Sequence, residues 1–219
     1  MPHLASVLRV FAAIVLLAAG SASAQLVAGR DYQLVKPPQP TDSGNKVEMI
    51  EFFWYGCPHC NALQPSLQAW LRRKPADVEF KRQPAVFQES WVPLTQLYYT
   101  LDAMGLVEKL HHEVFAAIHD QKVRLQDPKA MADWVATKGV DRQKFLDTYN
   151  SFSVQSRSKR ASDVTRAYDI PGTPAIVIDG RYLTAPSMIL KSDNSVDYER
   201  YFKVVDQVIA MARKNHGAK

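Results

Sequence analysis

The chain has 219 residues, 47% of them hydrophobic, with a formal net charge of +5. That is enough apolar material for the core of one domain, or of one domain carrying a large insertion. The basic excess is spread along the sequence with no run interleaved with aromatics, which argues against a nucleic-acid groove, and two cysteines exclude a wide disulfide framework.

Arg9 precedes an apolar run from Val10 to Ala19, followed by Gly20, Ser21 and the small-residue site Ala22-Ser23-Ala24. This pattern predicts a secretory signal peptide over residues 1–24 and a mature chain starting at Gln25. The apolar run falls short of the ~20 residues that span a bilayer. Asp31 to Val35 reads as a short edge strand, and Lys36 to Asn45, rich in Pro, Gly, Ser and Thr, as a loop. Val47 to Tyr55 is almost continuously apolar, as in a strand buried on both faces, and ends at Gly56. Cys57 to about Arg73 then reads as a helix with Pro58 in its first turn, Leu63, Leu67, Ala69, Trp70 and Leu71 on a buried side, and a kink at Pro65. Val78 to Gln83 is a second strand.

From about Trp91 to Tyr168 the period is helical. Helices are predicted over Trp91–Met104, Leu106–His119, Pro128–Lys138 and Asp141–Tyr168, the last with a break near Ser151 to Ser158. Strand returns at Ala175–Ile178, Asp179-Gly180 is a two-residue hairpin signal leading into Arg181–Thr184, and an amphipathic helix from Ser195 to about Lys214 closes the chain. The order is that of an α/β protein interrupted by a helical insertion.

The chemistry is in Cys57-Pro58-His59-Cys60. Thiol–disulfide exchange needs an exposed thiolate, a nearby resolving thiol and a field that sets the thiolate's stability. At a helix start Cys57 meets free N–H groups and the positive end of the dipole, while Cys60 lies one turn further in. Cys57 is therefore the expected attacking sulfur and Cys60 the resolving one. His59 is expected to stabilise the Cys57 thiolate and so strengthen the disulfide as an oxidant. Glu51, set among Met49, Ile50, Phe52, Phe53 and Trp54, requires a partner or a raised pKa, and is expected to store a proton for Cys60, with Lys81 in the next strand as its partner. A purely structural bridge between Cys57 and Cys60 is the other reading; so short a loop would constrain the unfolded chain by only about 2 kcal/mol.

Glu51-Phe52-Phe53, then Cys57-Pro58-His59-Cys60, a long helical stretch and Gly172-Thr173-Pro174 resemble the DsbA family of periplasmic disulfide oxidases of Gram-negative bacteria, over essentially the whole mature chain. The resemblance implies a thioredoxin fold built from residues 25–86 and 170–219, with an inserted helical domain over 87–169. It implies a strongly depressed cysteine pKa, a redox-active Cys57–Cys60 disulfide with no further cofactor, a periplasmic location and monomeric action. It implies reduced, unfolded exported proteins as substrates and recycling by a DsbB-type quinone-linked membrane oxidase. It also places a cis proline at Thr173-Pro174, beside which a substrate would add as a strand, with Trp54, Tyr55 and Pro171 as an apolar rim. Threonine at 173 stands where the best-known member of the family has valine and where thioredoxin-fold isomerases have threonine, which bears on the redox poise; the alternative function is another redox direction, a disulfide isomerase or reductant. A periplasmic copper or zinc carrier using Cys57, Cys60 and His59 is a third. His111, His112 and His119 are too few for a metal site and are expected on a solvated helix face. The aromatics from Trp91 to Tyr99 are expected to pack between the two domains, and the basic residues from Arg157 to Arg166 to be solvated.

Overall fold

The computed structural model describes residues 25–216, so the expected signal peptide lies outside the described residues. The strands are β1 (Gln33–Leu34), β2 (Val47–Phe53), β3 (Val78–Pro84), β4 (Ala175–Ile178) and β5 (Tyr182–Thr184). They form one mixed sheet in the order β1-β5-β4-β2-β3, with β2 parallel to β3 and antiparallel to β4. Among the described residues seven α-helices accompany it: α1 (Pro58–Leu71), α2 (Val92–Ala103), α3 (Val107–His119), α4 (Pro128–Ala136), α5 (Arg142–Tyr149), α6 (Phe152–Ala167) and α7 (Tyr198–His216).

β2 is buried at all seven positions, which is why, Glu48 and Glu51 apart, its sequence is apolar without alternation. Val47 and Met49 pack with Leu63, Leu67 and Trp70 of α1 and Tyr201, Val205 and Ile209 of α7. Ile50 and Phe52, on the opposite face, pack with Val177, Tyr168 and Ile170. The helical stretch α2–α6 has a core of its own around Leu97, Leu101, Phe115 and Phe145, and Phe53, Tyr55, Cys57 and Cys60 belong to it. The cysteines therefore sit where the sheet's central strand runs into the helical core. Trp91, Tyr98 and Tyr99 lie at this junction as expected: Trp54 stacks on Trp91 with centroids 4.2 Å apart, and Phe53 meets Tyr98 edge-on.

Several boundaries differ from expectation. Only Gln33–Leu34 of the predicted edge strand forms a ladder with β5, which is three residues long, although the Val35 N–H also donates to the Arg181 carbonyl at 2.8 Å. The helical break falls at Asn150-Ser151, where the Ser151 side chain caps α6, so Ser153 to Ser158 is helix. The hairpin signal reads correctly: Asp179 and Gly180 have φ of 55° and 62°, the left-handed pair that a tight turn demands. Arg157 is not merely solvated, since it pairs with Asp102 at 2.8 Å and lies over the Tyr99 ring. Among the described residues no helix is long and apolar enough to cross a membrane.

Candidate active site

After β2 the chain turns tightly through Trp54-Tyr55-Gly56-Cys57, with the Cys57 N–H donating to the Trp54 carbonyl at 3.0 Å. Gly56 is required by a close approach: a Cβ there would lie 2.3 Å from the Trp54 indole. Cys57, with φ −86° and ψ 116°, is the N-cap of α1, and Pro58 fills the first helical position, where a missing N–H costs nothing. The Cys57 Sγ accepts from the Cys60 N–H at 3.4 Å, the part a Ser or Asp side chain takes in an ordinary cap. Both residues are free cysteines; Cys57 is 8% exposed and Cys60 fully buried.

This arrangement separates the two sulfurs. A hydrogen bond from the Cys60 thiol, joined by the Thr173 side chain and the backbone N–H groups of Cys60 and His59, brings Cys57 from 9.0 down to about 5 against the opposing effect of burial. Burial, reinforced by the neighbouring Cys57, pushes Cys60 well above its usual range. The loop before β4 contributes the cis Thr173–Pro174 peptide and sets the Thr173 carbonyl 3.3 Å from Cys57 Sγ. A carbonyl accepts from a thiol but not from a thiolate, so that contact belongs to the protonated state, whereas the N–H groups favour the anion. His59 acts on the sulfur through its backbone; its side chain is exposed and lines a cleft with Pro171, Thr173, Pro174 and Tyr198.

Glu51 lies wholly buried on the α1 side of β2. Its Oε1 accepts from Gln64 Nε2 at 3.0 Å, and the same amide reaches the Cys60 carbonyl at 3.4 Å. Burial raises the carboxyl pKa, opposed by the charge of Arg82 and by Gln64. The partner expected for Glu51 is wrong by one residue. In the parallel register Glu51 sits opposite Arg82, whose Nε is 3.4 Å from Oε2, while Lys81 faces the other side of the sheet and bonds Glu48 at 2.6 Å. Alternate residues of a strand face opposite ways, so a shift of one changes the partner.

The expected rim is also divided. Pro171 lines the cleft beside His59, and Trp54 lines a separate groove with Gly56, Leu94 and Ile118. Tyr55 belongs to neither, being 1% exposed in the helical core. The histidines of α3 are not a solvated face: His111 is buried, with Nδ1 2.9 Å from the Tyr55 hydroxyl, and His119 Nε2 is 2.8 Å from the Tyr55 carbonyl. Burial holds the His111 pKa well below 6.5, so the ring is neutral. Gln64, Arg82 and the α3 histidines are the residues that sequence reasoning missed. Gln64 alone left a signal, as a polar residue beside Leu63 on the buried side of α1, one turn after Cys60. Among the described residues no group of three or more His, Cys, Asp or Glu side chains is placed to hold a metal.

Residues 48–200 match the model of the DSBA-like thioredoxin domain. The thiol:disulfide interchange protein DsbA of Bordetella parapertussis is 45% identical over 190 residues, covering 87% of this chain and 88% of the relative. That of Burkholderia cepacia is 44% identical over 175 residues, covering 78% and 82%. The crystal structure of Pseudomonas aeruginosa DsbA superposes with a TM-score of 0.78 at 37% identity, covering 87% of this chain and 96% of that one. A thioredoxin fold that carries helical elements, with two cysteines of opposed acidity at the strand-to-helix turn, agrees with these likenesses. The chain belongs to the DSBA-like thioredoxin family and is a thiol:disulfide oxidoreductase.

Proposed function

We propose that this oxidoreductase runs as a dithiol oxidase of exported proteins, passing the Cys57–Cys60 disulfide to substrate thiols. A substrate thiolate attacks Cys57 Sγ, a mixed disulfide forms, and Cys60 leaves and takes up a proton. The high basicity of Cys60 means that it needs that proton, and Glu51, buried near enough for its charge to act on the Cys60 thiol and held by Gln64, is the group to supply it. A second substrate thiolate then attacks the substrate sulfur of the mixed disulfide and Cys57 departs as a thiolate. Two electrons have passed to the protein and one disulfide has been made in the substrate.

The observation that carries the direction is the acidity of Cys57, held down to about 5. A low leaving-group pKa speeds the second step, and a stabilised thiolate stabilises the reduced form, which makes the disulfide a strong oxidant. The half-buried Gly172-Thr173 segment before Pro174 lines the cleft and offers an edge to an extended substrate, with Pro171 and His59 beside it. Reoxidation falls to a DsbB-type quinone-linked membrane partner, and the periplasm is the compartment in which this traffic makes sense.

The test is the equilibrium of the Cys57–Cys60 pair with glutathione, read by alkylation and mass on protein beginning at Gln25. An oxidase gives a disulfide reduced readily by glutathione. A pair that stays oxidised in a large excess of reduced glutathione overturns the proposal.

A further inference from the structure

The turn that leads into Cys57 contains a conformational freedom. Trp54 to Cys57 is closed by one backbone hydrogen bond, with Tyr55 and Gly56 in the central positions. Neither central residue has positive φ, so the turn is of type I character. Types I and II differ by rotation of the central peptide, which exchanges the sides of the Tyr55 carbonyl and the Gly56 N–H. The type II form needs positive φ at the third residue, which glycine adopts freely. With the Trp54 indole stacked on Trp91, a Cβ at 56 would lie 2.3 Å from it, so the residue that fits here, directly before Cys57, is also the one that permits this rotation.

One side chain outside the turn opposes it. His119 Nε2 lies 2.8 Å from the Tyr55 carbonyl oxygen, and because a carbonyl only accepts, Nε2 carries the proton and donates. The ring stacks on Phe115 of the same helix, and about two turns earlier on α3 His111 holds the Tyr55 hydroxyl. One helix of the insertion thus grips both ends of Tyr55.

We propose that His119 is a positioning residue for the redox centre: its hydrogen bond to the Tyr55 carbonyl locks the 55–56 peptide and thereby fixes the geometry in which Cys57 caps α1. Rotation of that peptide would turn a backbone dipole close to the sulfur and loosen the cap that stabilises the thiolate. The inference rests on the reading of Cys57 as the attacked sulfur. It makes the helical insertion part of what sets the redox poise, through a bond that never touches a sulfur.

The test compares His119→Leu, which keeps bulk against Phe115 but donates nothing, with His119→Gln, whose amide donates from a similar distance. Each is equilibrated with glutathione, with the melting curve of each recorded by circular dichroism. The leucine variant is expected to be about three- to tenfold less readily reduced than the parent, the worth of one neutral hydrogen bond, with Cys57 titrating higher. The glutamine variant should stay close to the parent. A leucine variant equal to the parent, or glutamine and leucine variants shifted alike, overturns the proposal. Should the leucine variant not fold, 15N spectroscopy of the histidines in the unmodified protein decides: a neutral His119 protonated on Nε2 supports the bond and one protonated on Nδ1 excludes it. The parent's own equilibrium judges the oxidase reading separately, because the inference depends only on ratios between variants.

Discussion

Strand β2 buries a carboxylate on each face of the sheet, three residues apart, and the two are treated in opposite ways. Glu48 is 3% exposed, yet its Oε2 accepts from the Ser43 hydroxyl at 2.8 Å and from the Asp42 N–H at 3.3 Å, and Lys81 pairs with it at 2.6 Å. Glu51 is equally buried but has one hydrogen bond, on Oε1, and its Oε2 accepts none although Arg82 lies 3.4 Å away. Burial raises both carboxyls. A buried acid with several protein partners on one oxygen holds a loop in place; one left short of partners keeps the capacity to exchange a proton. The sulfurs lie on the under-solvated side, next to α1.

That contrast can be tested by pH first, where the largest effect is expected. Folded Cys57 is unprotonated above about 5, while in the unfolded reduced chain the thiol keeps its proton up to its ordinary 9.0. The unfolded state binds more protons across this window, so the thiolate's contribution is complete near pH 9 and is lost as pH falls to about 5. Taken as the difference between reduced and oxidised protein in denaturant titrations, its slope should approach about tenfold in the folding constant per pH unit. Substitutions at Glu48 should leave that slope intact. A flat difference would mean that Cys57 is an ordinary thiol.

Glu51→Gln comes next. Keeping shape while removing the proton donor, it should slow the release of Cys60 during mixed-disulfide formation by about ten- to a hundredfold, measured by rapid quench and alkylation. An unchanged rate would assign Glu51 a structural part like that of Glu48. Lys81→Met should do the reverse, destabilising the fold by about 1–2 kcal/mol, since Lys81 is a third exposed, with redox equilibrium unmoved. The smallest change is expected from Glu48→Gln, under about 1 kcal/mol by chemical unfolding, because the desolvation of a charge disappears together with its ion pair.

The site was half legible in the sequence, and the division follows the range of the interactions. Cys57, Pro58 and Cys60 are read correctly because a helix N-terminus is a local structure, signalled by the end of an apolar run, Gly56 and Pro58. The partner of Glu51 was not, because Lys81 and Arg82 are both basic and adjacent, and register alone decides which faces it. Tyr55 was misread for a related reason: alternation along β2 stops at the turn, and periodicity says nothing about the residues after it. The α3 histidines look like a solvated face on an isolated helix. The partner of His111 and His119 is a residue more than fifty positions earlier, and a contact of that kind has no signature in either segment. The fold was more legible, since strand, helix and hairpin signals are themselves local.

Strand β2 has its neighbours at both ends of the chain's history. β3 follows it closely in sequence, but β4 and the Thr173–Pro174 loop come more than a hundred residues later. On a chain made from its N-terminus, Cys57 and Cys60 exist for most of the remaining synthesis without Thr173 beside the sulfur and without α7 beneath the sheet. The nascent pair has the local cap of α1 but lacks the Thr173 contact that also favours the thiolate. The setting of the sulfurs is completed with the last third of the polypeptide, so a truncated product would retain the motif and the local cap without the Thr173 contribution to the thiolate.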